Sequence, residues 1–361
     1  MLVADLAAGL KRRGTDMAVI TDTVGDLPPS EVIAGTPVYR LNLVRALRES
    51  NLLGTLSNMQ EITRIIAVER PDILHVHSAT QASVFYLDRI LRKQLSSMPV
   101  VVTQHGTLEE KDKTQVTHRM ILGARMLTGV SQAALASAVE FTGRKAESRR
   151  IYNGFEMPAD FPAGRIPPPK HRLLCVGRMQ REKGFDIAID ALAILRKQGI
   201  DAQLTLVGYG EDQLQFESQA RMLGIDEHVA FRGALDRMQV RHLMAESSIL
   251  LAPSRTREGF CLAAAEAASV GTPCVVSDVG GLPETVDHEQ TGLVVPHADV
   301  GAVAGAAARI LSDPKLWARL NATAYERARA KFDLDRCVDS YADAYREILS
   351  HNETKQACDT L

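Results

Sequence analysis

Short apolar runs alternate with longer stretches of helical periodicity along this chain, and that alternation limits the fold most. Runs such as LLCV, LTLV, ILLAP, CVVS and LVVP recur, each followed by a gap that can hold a helix or a loop and helix. An unbroken apolar run of that length suits a strand buried on both faces, and strand–helix alternation makes neighbouring strands parallel. The second half offers strands at 172–176, 203–207, 229–232, 249–252, 274–277 and 292–295. The first half offers 17–21, 73–77, 100–103, 126–129 and 150–152, with helices at 57–69 and 80–95. Ser57 with Gln60 three residues on fits a capping box at the first of these helices.

One segment interrupts the pattern. GFEMPADFPAGRIPPPKH ends in three consecutive prolines, which neither a helix nor a central strand accommodates. The expectation is therefore α/β, with two Rossmann-like, doubly wound parallel-sheet domains facing across a cleft and ligands at the carboxyl ends of the strands. The domains span 1–155 and 171–330, joined by a Pro-rich linker at 156–170. Residues 315–349 read as helical, with Phe332, Tyr341 and Tyr345 packing, and 351–361 as a polar, frayed tail.

Composition excludes several classes. The 361 residues carry 42 basic and 44 acidic side chains, too balanced for a nucleic-acid binder. Residues 1–154 hold 19 basic and 15 acidic groups, net +4, a mild pull toward an anionic partner. Five cysteines, with no C-x-x-C, suggest a reducing cytosol and no zinc ribbon. No apolar run approaches the length of a membrane-spanning helix, and MLVADLAAGLKRRG reads as an amphipathic helix rather than a signal peptide.

The strongest chemical constellation is Glu258-Gly259-Phe260-Cys261-Leu262 running on to Glu266. It follows a strand and opens a helix, whose free N–H groups suit a diphosphate. Gly259 allows close approach of a ligand, and Glu258 can accept hydrogen bonds from sugar hydroxyls. Glu266 would lie about 12 Å further along the axis if the segment were helical throughout. The plainer alternative is a capping carboxylate and a surface glutamate. Arg178, Arg181 and Lys183 at the next strand end suit a phosphate clamp, or a solvated charged turn. Gly208 in VGYG and Arg232 in FRG stand at strand ends where backbone can approach a nucleobase. GGLPE at 280–284 reads as a structural turn on the same rim. His75 and His77 share a strand face, and His105 ends the strand VVVTQ. These three histidines admit a metal-hydrolase reading; His105 alone suits a hydrogen bond to sugar or phosphate.

In order, GRMQREKGFD, LVGYG, FRG, EGFCLAAAEA, GTPCVVSDVGGLPE and TGLVVP resemble the retaining nucleotide-sugar glycosyltransferases of family 4, glycosyltransferase group 1, with GT-B architecture. HVHS, TQHG and IYNG in the first half support the resemblance, which covers nearly the whole chain. It implies a donor site in 171–330 formed by Arg178, Lys183, Gly208, Arg232, Glu258, Gly259, Phe260, Cys261, Leu262 and Glu266. Glu258 would contact the donor sugar and Glu266 the ribose. His105 and Glu258 would stand nearest the transfer, with 1–155 as the acceptor side and the helix at 331–350 crossing back to it.

The implied activity is metal-independent transfer of a hexose, with retention, from a UDP- or GDP-sugar co-substrate to a saccharide or lipid-linked saccharide. Cell-surface polysaccharide or glycoconjugate synthesis would be the setting, in the cytoplasm or peripherally at the inner membrane face. No cofactor, metal or nucleic acid is implied. Family members open with a strand and glycine-rich loop before the helix that here begins the sequence, so the first strand of the first sheet is expected to be missing. That departure keeps open an inactive nucleotide-sugar-binding module as the alternative.

Overall fold

A computed structural model describes residues 2–78, 81–94, 98–158, 166–168 and 170–359. They fall into two compact units, Met1–Phe155 with Leu334–Leu361, and Glu156–Asp333. Of the expected linker, 159–165 and 169 lie outside the described residues.

The first unit opens with α1 (Leu2–Arg12), then β1 (Val19–Asp22), β2 (Ser30–Ile33), β3 (Thr36–Leu41), α2 (Leu43–Arg48), α3 (Leu52–Glu69) and β4 (Leu74–Ser78). It continues through α4 (Gln81–Gln94), β5 (Val100–Gln104), α5 (Gln115–Gly123), β6 (Met126–Gly129), α6 (Gln132–Thr142) and β7 (Ser148–Arg150). Its strands form two sheets, β1-β3-β2 and a parallel β4-β5-β6-β7. β1 pairs with β3 in parallel, but β2 runs antiparallel to β3, which corrects the all-parallel expectation. The β2–β3 hairpin escapes the strand pattern because both its turn residues, Ala34 and Gly35, take positive φ, 49° and 78°. That geometry matches the twist of two-residue hairpins and is rarely signalled by alanine.

The second unit contains β8 (His171–Val176), α7 (Phe185–Lys197), β9 (Ala202–Val207), α8 (Gln213–Met222), β10 (Val229–Phe231), α9 (Arg237–Glu246) and β11 (Ile249–Ala252). It ends with α10 (Leu262–Ser269), β12 (Cys274–Ser277), β13 (Gly292–Val295), α11 (Val300–Ser312) and α12 (Pro314–Lys331). One parallel sheet, ordered β10-β9-β8-β11-β12-β13, carries all six strands. Apolar clusters cover both faces, with α7 and α11 on one and α9 and α10 on the other. Burial on both sides is why these strands read as continuous apolar runs. Ala264, Ala265, Ala267 and Ala268 of α10 are buried, and their small side chains bring that helix close to the sheet.

Several local expectations change. Asn51, not Ser57, caps α3 by accepting the Gly54 N–H, so the helix begins earlier and Ser57 lies inside it. The expected helix over 315–349 breaks at Phe332 and Asp333 into α12 and α13 (Leu334–Asp359). α13 runs through the supposed tail, where no glycine or proline stops a helix already nucleated by packing. It packs on α1 within the first unit, burying Val338, Tyr341, Tyr345 and Ile348 with Leu6 and Leu10. Among the described residues no helix is long and apolar enough to cross a membrane.

Candidate active site

In the second unit the chain proceeds outward from β8 to β9 and β10, then returns to β11 on the other side of β8. The order reverses between β8 and β11, where open α/β sheets leave a crevice at their carboxyl ends. Two loops meet there. Gly184, at φ 73°, ends the turn Arg181–Lys183, and a Cβ on it would lie 2.0 Å from the Pro253 carbonyl oxygen. Only glycine permits that approach. The Arg255 N–H donates to the Glu182 carbonyl at 2.8 Å, and the Arg255 guanidinium pairs with Asp186 in the first turn of α7.

These ties bring Lys183 Nζ within 2.8 Å of Glu258 Oε2, with the two side chains 28% and 15% exposed. The Ser254 hydroxyl donates to the other carboxylate oxygen. Below, the Gly281 N–H donates to the Glu258 carbonyl at 2.7 Å, and a Cβ on Gly280 would come within 2.3 Å of that oxygen. The GGLPE turn is thus the backbone support of Glu258. Ser254 was missed in the sequence, since a serine four residues before a glutamate carries no pattern of its own.

The segment after Glu258 divides its roles between side chain and backbone. Phe260 turns inward and meets Phe332 edge-on, with ring centroids 5.4 Å apart. Cys261 is buried, and burial, with the Glu258 carboxylate adding to it, pushes its thiol up to about 12. It is a packing residue, not a nucleophile. α10 begins at Leu262, with no side-chain cap from Cys261 and no acid in its first turn. The positive end of the helix suits an anion, and its Ala263 and Ala264 N–H groups also lie against the Cys261 sulfur. Glu258 lies just before that helix, where the sequence places it, so the 12 Å axial separation that a helix throughout would give does not apply. Glu266 sits in α10 with Arg237 Nε at 3.7 Å from its carboxylate. Arg237, also missed, opens α9 after the Asp236–Gln239 capping box.

Three more loops line the same rim. The Gly177 N–H donates to the Val207 carbonyl, Gly208 to Gly233, and Met179 to Tyr209, at 2.8–3.0 Å. Arg178, Gly208 and Arg232 thus end three adjacent strands, and both arginines are exposed.

His105 belongs to the first unit. Its Nε2 lies 2.8 Å from Nδ1 of His77, so one ring donates to the other. The His77 ring lies 4.1 Å from that of His75. His75 in turn bonds Tyr345 through Nδ1 and Thr103 through Nε2. Thr103 bonds Thr128 and Tyr341. Burial lowers all three histidines, His77 to about 3 and His105 to about 4, and holds the rings neutral at neutral pH. Both ring nitrogens of His75 face hydroxyls and Nδ1 of His77 faces Nε2 of His105, and among the described residues no three His, Cys, Asp or Glu side chains are grouped as metal ligands. Both nitrogens of His75 are already hydrogen-bonded, which counts against the three histidines as a shared ligand set.

Rossmann-like units with a charged switch point define the fold class, GT-B. Sucrose-phosphate synthase from Thermosynechococcus elongatus has the same fold, with a TM-score of 0.83 at 24% identity over 97% of this chain and 93% of that one. Anabaena HepE follows at 0.76 and 20% identity, over 96% and 95%. The profile described as Glycosyl transferases group 1 matches residues 156–327, and that of Glycosyltransferase Family 4 matches 1–157. The glycogen synthase of Mycobacterium tuberculosis is 31% identical over 289 residues, 76% of this chain and 69% of that protein. The N-acetyl-alpha-D-glucosaminyl L-malate synthase of Bacillus anthracis is 27% identical over 82% and 79%. The chain belongs to the group 1, family 4 glycosyltransferases.

Proposed function

We propose that the chain transfers a hexosyl group, with retention and without a metal, from a nucleoside-diphosphate sugar to a saccharide or lipid-linked saccharide. The observation that carries this reading is the Lys183–Glu258 pair at the β8/β11 switch point, beside the uncapped start of α10. A diphosphate is the group that Lys183, Arg178 and the α10 N–H groups suit together. Glu258, held by Ser254 and the 280–281 backbone, is left to receive hydroxyls of the donor sugar. Glu266 and Arg237 suit the ribose, and the loops at Gly208 and Arg232 the base. Anabaena HepE is described in complex with UDP-glucose, and a Mycobacterium tuberculosis relative, 32% identical over 48% of this chain, is described as GDP-mannose-dependent. Both descriptions support a nucleotide-sugar donor for this chain and leave UDP and GDP as the two candidate bases.

In the transfer, the bond from the anomeric carbon to the β-phosphate oxygen breaks. The new glycosidic bond forms on the same face, and the acceptor proton passes to the departing diphosphate. Charge grows on that leaving group, where Arg178, Lys183 and the helix terminus stabilise it more than in the ground state. Neutral His105 can hold a sugar or phosphate oxygen without adding charge. Polysaccharide or glycoconjugate synthesis, in the cytoplasm or at the inner membrane face, is the setting this chemistry fits.

Calorimetric titration with UDP, GDP and ADP tests the donor site. One of UDP and GDP should bind after treatment with EDTA, and Lys183→Ala should weaken it by about 1.5–3 kcal/mol. Equal binding by the variant would show that the clamp is misplaced. Proton NMR of the first-formed product reads the anomeric outcome directly.

A further inference from the structure

Within the first unit, the histidines and the last helix meet on one face of the β4-β5-β6 sheet. His75 and His77 stand opposite Val101 and Thr103 in the β4–β5 register, and Thr103 stands opposite Thr128. Side chains two residues apart share a face, so His105, two residues past Thr103, continues that face just beyond the end of β5. α13 covers the same face through Tyr341 and Tyr345, which share a buried cluster with Val101. A row of side chains therefore runs from Tyr345 through His75 and His77 to His105. It has a hydrogen bond at each end, and between them the rings of His75 and His77 lie 4.1 Å apart and 32° from parallel.

Different groups hold the backbone and the ring of His105. The Gln104 side-chain amide donates to the Gly106 carbonyl at 2.9 Å, and the Val130 N–H donates to the Gln104 carbonyl at 3.1 Å, so the main chain is fixed on both sides of His105. Among the described residues the ring makes one hydrogen bond, between its Nε2 and Nδ1 of His77. A neutral imidazole carries one N–H, so a single proton occupies that bond. When His105 supplies it, Nδ1 of His105 is an acceptor; when His77 supplies it, that Nδ1 is a donor. The direction of one hydrogen bond thus decides what His105 presents to a ligand. His77 is kept in the bond by His75 against its ring, and His75 is pinned at both nitrogens, by Tyr345 at 2.5 Å and by Thr103 at 2.6 Å.

We propose that His77 is a positioning residue for His105, fixing its ring orientation and tautomer so that a sugar hydroxyl meets one defined group at Nδ1, and that Tyr345 of α13 extends this control through His75. The effect on turnover rests on the transferase reading; the arrangement of the His105 ring does not.

The test follows the histidine ring nitrogens of the isotopically labelled full chain by NMR, beside steady-state rates with a nucleotide sugar. The unmodified chain should show His105 in one tautomer at neutral pH. His77→Ala should leave a mixture of both, and His77→Asn, whose amide stands near the place of Nδ1, should restore one. Should His77→Ala not fold, His77→Gln replaces it; its amide reaches the place of Nε2 instead, and it should behave as alanine does. Tyr345→Phe should move the His77 and His105 signals in the same direction by a smaller amount. His77→Ala should lower kcat by about 10- to 100-fold, the order that a small misplacement costs, with KM for the nucleotide sugar within about twofold, and His77→Asn should recover part of the loss. A His105 spectrum that ignores His77 overturns the proposal, and signals that ignore Tyr345 overturn the part given to α13. Turnover indifferent to His77 keeps the transferase reading and overturns the positioning role. A His77-dependent tautomer in a chain that turns over no nucleotide sugar keeps the positioning role and removes the transferase reading.

Discussion

In the second unit, six parallel strands make one sheet, and β11 at its centre is buried Ile249, Leu250, Leu251 and Ala252. In the first unit the strands make two sheets, and β4 and β5 carry His75, His77 and Thr103 into the packed face under α13. The second unit keeps an aliphatic interior and sets its charges on the rim, where a ligand can reach them. The first keeps its three histidines inside, neutral and bonded to hydroxyls and to one another, and also buries Arg40, Asp88 and Arg144. On the proposed reading, charge to stabilise a leaving group resides in the second unit, and orientation by neutral donors and acceptors in the first. Burying a charge without a partner is costly, which is why the interior histidines take up no second proton and stay neutral.

The sharpest way to break this contrast is Glu258→Ala. Turnover should fall by about 100- to 1,000-fold, with nucleotide affinity nearly kept, as expected of a group used mainly in the transition state. Parallel steady-state rates and nucleotide titrations check it; equal losses in both would make Glu258 a binding residue only. Next is Gly184→Ala, where a side chain meets the Pro253 carbonyl at a left-handed φ. It should destabilise the second unit by about 2–3 kcal/mol, read as a shift of the denaturant midpoint, and loosen Lys183 from Glu258.

Acid should separate the units. Below the ordinary imidazole pKa of about 6.5 the unfolded chain takes up protons that His75, His77 and His105 refuse when folded. Stability of the first unit is full above that pH and falls as pH drops toward 4. In the second unit the carboxylates held low, such as Glu289 beside Arg309, give up stability only further down, as the pH falls through the carboxylate range. Melting followed by a probe in each unit should show the first losing roughly 5 °C or more between pH 7 and 5. The smallest effect is expected at the β2–β3 turn. Ala34→Asn should stabilise the first unit by about 1 kcal/mol or less, because asparagine tolerates the left-handed region better.

Legibility in the sequence followed the same divide. Residues 249–252, 274–277 and 292–295 are strands where the apolar runs placed them, since both-face burial writes itself into composition. The hairpin around Ala34 and the helix start at Asn51 were hidden, because each depends on one residue's backbone geometry or one side-chain bond. At the site, Lys183 and Glu258 stood out as charges at strand ends. Their contact did not, because it depends on Gly184 against Pro253 and on the Arg255–Asp186 tie, which join positions about 70 residues apart. The three histidines were visible, but not the hydroxyls of Tyr341 and Tyr345 that close their network from the far end of the chain.

That last connection has a consequence for how the molecule is made. α13 belongs to the same unit as residues 2–155, so that unit lacks a wall until residues 334–359 leave the ribosome. Until then His75 has no Tyr345 and α1 has no partner helix, whereas the second unit has all its strands in hand. A nascent chain arrested near residue 333 would carry one finished domain and one half-built one with an apolar face open to chaperones and proteases.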